Sequence, residues 1–192
     1  MISAKLRPAV FLDRDGTINV EKDYLVEPAE FEFIPGVPKA LKRLQDAGYL
    51  LVVVTNQSGV ARGYFSLQQV ERLHAHMEKL LEKFAVTLAG IYSCPHHPTA
   101  GVGEYLTACA CRKGAPGMLL QAARELGIDL SRSYMIGDKQ ADIDAGLAAG
   151  CRSYLVRTGH GGNWLDSEAP RRAKVVADLP AAVDDILLSG SL

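Results

Sequence analysis

Ala9-Val10-Phe11-Leu12-Asp13-Arg14-Asp15-Gly16-Thr17 is the stretch that decides the fold. Its first four residues are apolar without interruption, as in a strand buried on both faces. Side chains two apart on an extended segment project to the same side. Asp13 and Asp15 are therefore expected to point together beyond the strand's C-terminal end, where parallel α/β sheets bind ligands. Gly16 lets the chain turn sharply after them. One carboxylate of such a pair can attack a phosphorus atom while the other manages the leaving-group proton. An acidic turn uses the same residue types, so the reading depends on what stands at the other strand ends.

Outward from that strand, helical and strand patterns alternate. A polar loop, Ile18 to Ile34, leads to Pro35-Gly36 and a helix whose stripe is Val37, Ala40, Leu41 and Leu44, closed by Gly48. Leu50 to Val54 reads as a second buried strand, ending at Thr55-Asn56-Gln57-Ser58-Gly59. Ser66 and Gln69 form a capping box for a long helix. That helix is expected to bury Leu67, Val70, Leu73, Met77, Leu80, Leu81 and Phe84. Gly90 to Ser93 is a third strand, and a Cys- and His-bearing loop follows. A helix starts at Pro116 and ends at Gly127. Tyr134 to Ile136 is a strand running into Gly137-Asp138, Ala141 to Ala149 is helical, and Arg152 to Val156 is the next strand. Val175-Val176 and Pro180 to Leu188 add a last strand and helix. Such alternation predicts an α/β fold, a three-layer doubly wound parallel sheet of Rossmann-like type. With no dividing linker, 1–192 is expected to be a single domain carrying a loop insertion at about 94–111.

Composition narrows the classes. Of 192 residues 48% are hydrophobic, which excludes a disordered chain. The net charge of −1 gives no support for nucleic-acid or anionic-membrane partners. No apolar run approaches a membrane span, and Met1 to Pro8 lacks a signal-peptide core. A cytoplasmic monomer acting on a small molecule is expected. In that setting the four cysteines are not a disulfide framework.

Three strand ends carry polar clusters: Asp13/Asp15, Thr55 to Ser58, and Asp138. In a doubly wound sheet they converge on one edge. Asp13 and Asp138 can share a hard divalent cation, Mg2+ by ligand type, with the backbone carbonyl of Asp15 and water completing the oxygens. Thr55 can donate to a phosphate oxygen, and Arg112-Lys113 brings positive charge from another loop. Asp142 is a weaker candidate, either orienting this motif from the following helix or biasing charge at that helix's N-terminus. Together, in their order along Val10 to Gly150, these residues resemble the four motifs of the haloacid dehalogenase superfamily of phosphohydrolases. The resemblance implies that Asp13 is the nucleophile that becomes an aspartyl phosphate. It implies that Asp15 protonates the leaving alcohol and then activates water, that Thr55 and Lys113 stabilise the transferring phosphoryl group, and that Asp138 holds magnesium.

A second constellation is Cys94-Pro95-His96-His97 followed by Cys109-Ala110-Cys111. Three thiolates and one imidazole make a tetrahedral Zn2+ set. With all four positions filled by protein, the metal is expected to be structural. Spacing does not fix which histidine binds; His96 makes the tighter pair and is the expected ligand. Cys151 falls outside the set and reads as a core residue.

The two constellations together resemble the heptose 1,7-bisphosphate phosphatases and the related histidinol-phosphate phosphatases. Asn19 to Val26 and Thr55 to Gly63 are more similar to the heptose group. That resemblance implies removal of a 7-phosphate for lipopolysaccharide-core or related glycan assembly. It implies no separate cap domain and a site shaped by three loops. Glu21, Lys22, Asp23, Tyr24, Asn56, Gln57, Ser58 and Lys139 would contact substrate, and Arg112 would recognise the sugar or its distal phosphate. The family's usual Cys-Arg-Lys-Pro is here Cys111-Arg112-Lys113-Gly114, expected to loosen the loop. A non-enzymatic zinc-dependent binding module is the competing class; the intact aspartate set and near-neutral charge argue against it.

Overall fold

The structure is a computed structural model and describes residues 6–164, 166–167 and 169–189. Among the described residues six parallel strands form one sheet in the order β3-β2-β1-β4-β5-β6. They are β1 (Ala9–Leu12), β2 (Leu50–Asn56), β3 (Gly90–Cys94), β4 (Tyr134–Gly137), β5 (Arg152–Val156) and β6 (Lys174–Val176). β1 lies between β2 and β4, with Phe11 in register with Val52 and Met135. The chain winds from β1 through β2 to β3 on one side, then returns to build β4, β5 and β6 on the other. The reversal falls at the end of β1, the place where doubly wound sheets open a crevice.

Side-chain alternation along β1 feeds both faces. Val10 and Leu12 join α1 (Val37–Asp46), α2 (Leu67–Glu82) and α6 (Leu179–Ser189) through Leu41, Leu44, Met77, Leu81 and Val183. Ala9 and Phe11 pack on the other face against α3 (Gly117–Leu126) and α4 (Gln140–Ala149) through Met118, Leu119 and Ala145. A short α5 (Ala169–Arg172) lies between β5 and β6. Each fully buried Leu or Met in these layers is worth roughly 1.5–3 kcal/mol over an exposed one, which makes the sheet a firm platform for its loops.

The capping box forms as expected: Gln69 N donates to Ser66 Oγ (3.3 Å) and Ser66 N donates to Gln69 Oε1 (2.9 Å). The apolar stripe of α2 differs from its sequence reading. The helix ends at Glu82, and Phe84 is exposed in a turn where Ala85 takes φ +55° toward β3. Leu67 and Leu80 are half-buried. Val70, Leu73, Met77 and Leu81 point inward, and a fifth inward position belongs to His74, for a reason found at the site. β3 runs one residue further than expected, to Cys94, which pairs in register with Asn56. α3 and α4 each shift by one residue, starting at Gly117 and Gln140.

Candidate active site

Adjacent strands deliver adjacent carboxylates. Asp13 follows β1, Asp138 follows β4, and Asp13 N donates to Ile136 O (2.9 Å) across the pair. With Asp142, from the first turn of α4, they bring one carboxylate oxygen each within 4.8 Å of one another, and all three residues are buried. Lys113 reaches into this cluster: its Nζ lies 2.5 Å from Asp13 Oδ1, 2.7 Å from Asp142 Oδ1 and 2.8 Å from Val54 O. Burial opposes the charge on Lys113, but Asp13 and Asp142 outweigh it and raise its pKa, so the ammonium persists. Burial pushes Asp142 up to about 6 against the pull of Lys113. Burial, and then the charge of Asp13, push Asp138 up to about 8. Asp138 Oδ2 accepts from His160 N (2.7 Å), whereas Oδ1 is buried without a hydrogen-bond partner. An orphan buried acceptor beside two more carboxylates suits a hard divalent cation, which would relieve the repulsion that raises Asp138. Gly16 completes this wall. It sits at φ +81°, and a Cβ there would fall 2.3 Å from Asp138 Oδ2.

Asp15 is held by different partners. Arg14 donates to it twice, Nε to Oδ1 (3.2 Å) and Nη2 to Oδ2 (2.8 Å). Asn19 Nδ2 and Gln57 Nε2 add bonds of 3.0 and 3.1 Å. Burial disfavours the Asp15 carboxylate, yet Arg14 and these hydrogen bonds win and hold its pKa below the usual range. Arg14 is itself fully buried, and its Nη1 lies 3.0 Å from His74 Nε2 on α2. Burial, then Arg14, push His74 down to about 3, so the ring is neutral and its Nε2 accepts. This explains the polar residue on an otherwise apolar stripe. Gln57 also donates to Thr55 Oγ1 (2.8 Å), tying the end of β2 to the same network.

Two cavities adjoin here. The smaller, of about 40 Å³, is lined by Asp13, Asp15, Thr55, Asn56, Lys113, Lys139, Ala141 and Asp142. The larger, of about 190 Å³, shares Asp15, Asn56 and Lys139 with it and adds Glu21, Asp23, Tyr24, Gln57, Ser58, Gly59 and His160. Burial opposes the charge of Lys139, and Asp13, Asp138 and Glu21 outweigh it, raising its pKa. Asp23 and Tyr24 take φ +39° and +58°, a left-handed pair at non-glycine residues. Such backbone costs of order 1–3 kcal/mol per residue and gathers at ligand clamps. Tyr24 also meets Tyr64 edge-on, ring centroids 4.9 Å apart.

Two of the sequence-predicted contacts stand apart from these cavities. Lys22 turns away, its Nζ donating to Glu30 O (2.7 Å) and facing Glu32 (3.6 Å). Arg112 Nη1 donates to His96 O (3.0 Å) and lines neither cavity.

Cys94, His96, Cys109 and Cys111 come together with all ligand atoms within 4.8 Å. Sulfur separations of 3.1–3.5 Å exclude disulfides, and three sulfurs with one imidazole are a donor set that suits a thiophilic metal. His96 Nδ1 lies 3.4 Å from Cys111 Sγ. His97 is committed elsewhere, its Nδ1 accepting from Thr99 N and Ala100 N. The loop is clamped to the catalytic edge at both ends. Cys94 sits beside Asn56, and Asn56 Oδ1 accepts from Lys113 N (2.9 Å). Gly114 does not loosen this link: it takes φ +103° and its N donates to Ala141 O (2.9 Å). A proline, with φ fixed negative and no N–H, could do neither.

Sequence reasoning missed Arg14, Asn19, His74 and His160. Arg14 lay inside the motif, and His160 follows β5 on the active edge, so position was a signal for both. His74 had none, because its partner is 60 residues away.

The fold and the carboxylate–lysine centre define a hydrolase of the haloacid dehalogenase class, and the "HAD-hyrolase-like" family model matches residues 110–182. The chain is 51% identical over 172 residues to the D-glycero-beta-D-manno-heptose-1,7-bisphosphate 7-phosphatase of Haemophilus ducreyi, covering 88% of this chain and 92% of that one. It is 50% identical over 185 residues to that of Escherichia coli (strain K12), covering 94% and 95%. A crystal structure of D,D-heptose 1,7-bisphosphate phosphatase from B. bronchiseptica, complexed with magnesium and phosphate, superposes with a TM-score of 0.85 at 36% identity, covering 95% and 99%. The chain belongs to the D-glycero-beta-D-manno-heptose-1,7-bisphosphate 7-phosphatase family.

Proposed function

We propose that this chain is a magnesium-dependent phosphoric monoester hydrolase. It removes the 7-phosphate of D-glycero-β-D-manno-heptose 1,7-bisphosphate in the cytoplasm, for lipopolysaccharide-core or related glycan precursors. The observation that carries the chemistry is the buried Asp13 carboxylate beside the Lys113 ammonium, within 4.8 Å of Asp138. Membership of the family carries the substrate, and the histidinol-phosphate reading is not favoured.

Asp13 attacks phosphorus as the bond to the sugar oxygen breaks, giving an aspartyl phosphate. Asp15 gives its proton to that oxygen, then takes one from the water that hydrolyses the intermediate. Arg14 keeps Asp15 ionised in the free protein, the state the second step needs; an anionic ester nearby favours the proton needed for the first. Lys113 and Thr55 stabilise the transferring group. Asp13, Asp138 and the Asp15 carbonyl would hold magnesium, which would polarise the phosphoryl oxygens. Glu21, Asp23, Tyr24, Asn56, Gln57, Ser58 and Lys139 meet the sugar; Arg112, anchored on His96 O outside both cavities, would meet the distal phosphate where the substrate extends beyond them. Cys94, His96, Cys109 and Cys111 would hold zinc, which would take no chemical part and would fix the approach of Arg112-Lys113.

The test is magnesium-dependent phosphate release from the two bisphosphate anomers beside histidinol phosphate. The β anomer should give the highest kcat/KM. A preference for histidinol phosphate would overturn the substrate assignment and leave the aspartyl-phosphate chemistry standing.

A further inference from the structure

The loop after β5 is docked on the catalytic turn through its backbone. Thr158 Oγ1 donates to Gly16 O (2.6 Å), and His160 N donates to Asp138 Oδ2 (2.7 Å). Gly159 lies so close that a Cβ there would fall 2.6 Å from Gly16 Cα and 2.3 Å from Asp138 Oδ2. The main chain of His160 thus orients a carboxylate of the reacting centre, while its imidazole is left for other work. That ring lines the larger cavity, with Nε2 3.4 Å from Glu21 Oε2. Lys139 Nζ approaches the same oxygen at 3.4 Å.

The larger cavity must take the leaving alcohol. The reacting carboxylate Asp13 and its Lys113 line only the smaller one, and Asp15, which protonates the leaving oxygen, lines both. An imidazole N–H beside a carboxylate offers a donor and an acceptor about one hydrogen-bond length apart. A hydroxyl both donates and accepts, so one or two neighbouring hydroxyls can satisfy this pair at once, whereas an alkyl chain cannot.

We propose that His160, paired with Glu21, reads a hydroxyl of the leaving alcohol close to the scissile ester, and so selects polyhydroxylated alkyl phosphates over plain ones. This rests on the phosphatase reading above and adds a specificity residue to it. Because the backbone of the loop is pinned to Gly16 and Asp138, the imidazole is presented rigidly. A rigid donor penalises a substrate that leaves it unpaired more than a mobile one would.

The test uses the full chain with saturating magnesium and two probes, glycerol 3-phosphate and propyl phosphate, which differ in their hydroxyls. The wild type should favour the hydroxylated ester by about tenfold or more in kcat/KM. His160→Ala should bring that ratio toward one, chiefly through KM for glycerol 3-phosphate. His160→Gln, which keeps an N–H donor, should recover much of it. A ratio unchanged in His160→Ala overturns the inference. So does an equal loss on both esters with weakened magnesium activation, which would mean that His160 acts only through Asp138. If the wild type releases phosphate from heptose bisphosphate but shows no preference between the probes, this inference falls and the phosphatase reading stands. If it releases phosphate from none of the three, both fall.

Discussion

The carboxylate centre and the cysteine–histidine quartet are joined by Cys111-Arg112-Lys113, yet they are built by opposite routes. The cysteines come from the end of β3 and the loop that follows it, with Cys94 and Cys111 17 positions apart. The charged centre draws Asp13 and Lys113 together across 100 positions. Closing a short loop costs little chain entropy, and the soft ligands need no help from the fold once a metal binds. The carboxylates repel one another and lose solvation, as the raised pKa of Asp138 records. They stay together because the packed sheet leaves them no other place and Lys113 offsets their charge. A site made of soft ligands can be local; a site made of like charges needs a finished fold.

Removing both metals probes this contrast most severely. A structural zinc site is worth ~10–16 kcal/mol of apparent binding free energy in small peptides. After chelation and return of magnesium alone, amide exchange should speed up through residues 94–111 while β1, β2 and β4 stay protected. Turnover should fall because Lys113 loses its anchor. Global loss of protection would show that the two regions are one folding unit. Elemental analysis finding no zinc in protein purified without chelator would break the comparison outright.

Asp13→Asn comes next. The nearly isosteric amide cannot act as the anionic nucleophile, and loss of such a group costs on the order of 10⁶-fold in kcat. Zinc content should be unchanged, since no thiolate moves. Retained turnover in a carefully purified sample would remove Asp13 from its role. Asp15→Asn should lose about 10²–10⁴-fold, the usual range for proton transfer.

Lys113→Met tests what holds the carboxylates together. It leaves Asp13 and Asp142 buried without their shared cation, which costs about 3–5 kcal/mol. Urea unfolding without magnesium should show that loss, and magnesium should recover part of it by binding the folded state. A midpoint equal to wild type would mean that burial alone sustains the cluster.

His74→Gln gives the smallest effect and the finest test. Its pKa is about 3 folded against 6.5 ordinarily. The unfolded chain therefore binds a proton below about 6.5 that the folded chain refuses until about 3. Wild-type stability should fall through that window as pH drops, by about 2 kcal/mol between pH 7 and 5 from this group. The Gln variant, which can still accept from Arg14, should lack that slope. An identical slope in both would place the titration elsewhere.

The sequence by itself determined the alternating elements, because burial on both faces of a parallel sheet requires unbroken apolar strands such as Leu50 to Val54. It determined Asp13, Asp15 and Asp138, which stand at strand ends, and the Cys94, His96, Cys109 and Cys111 cluster, whose members lie close enough to be grouped by spacing. His96 followed from the tighter spacing, and the structure adds the reason that His97 is unsuited: its ring is bonded to the backbone of its own turn. Only the tertiary structure decided the strand order that sets β1 beside β4. It also decided that Phe84 lies outside and His74 inside, that Lys22 turns away, and that Gly114 holds rather than loosens the loop. Those outcomes depend on partners brought in from distant positions. A buried charge such as Arg14 is legible only when every group that satisfies it has arrived, and no local pattern in the chain records that arrival.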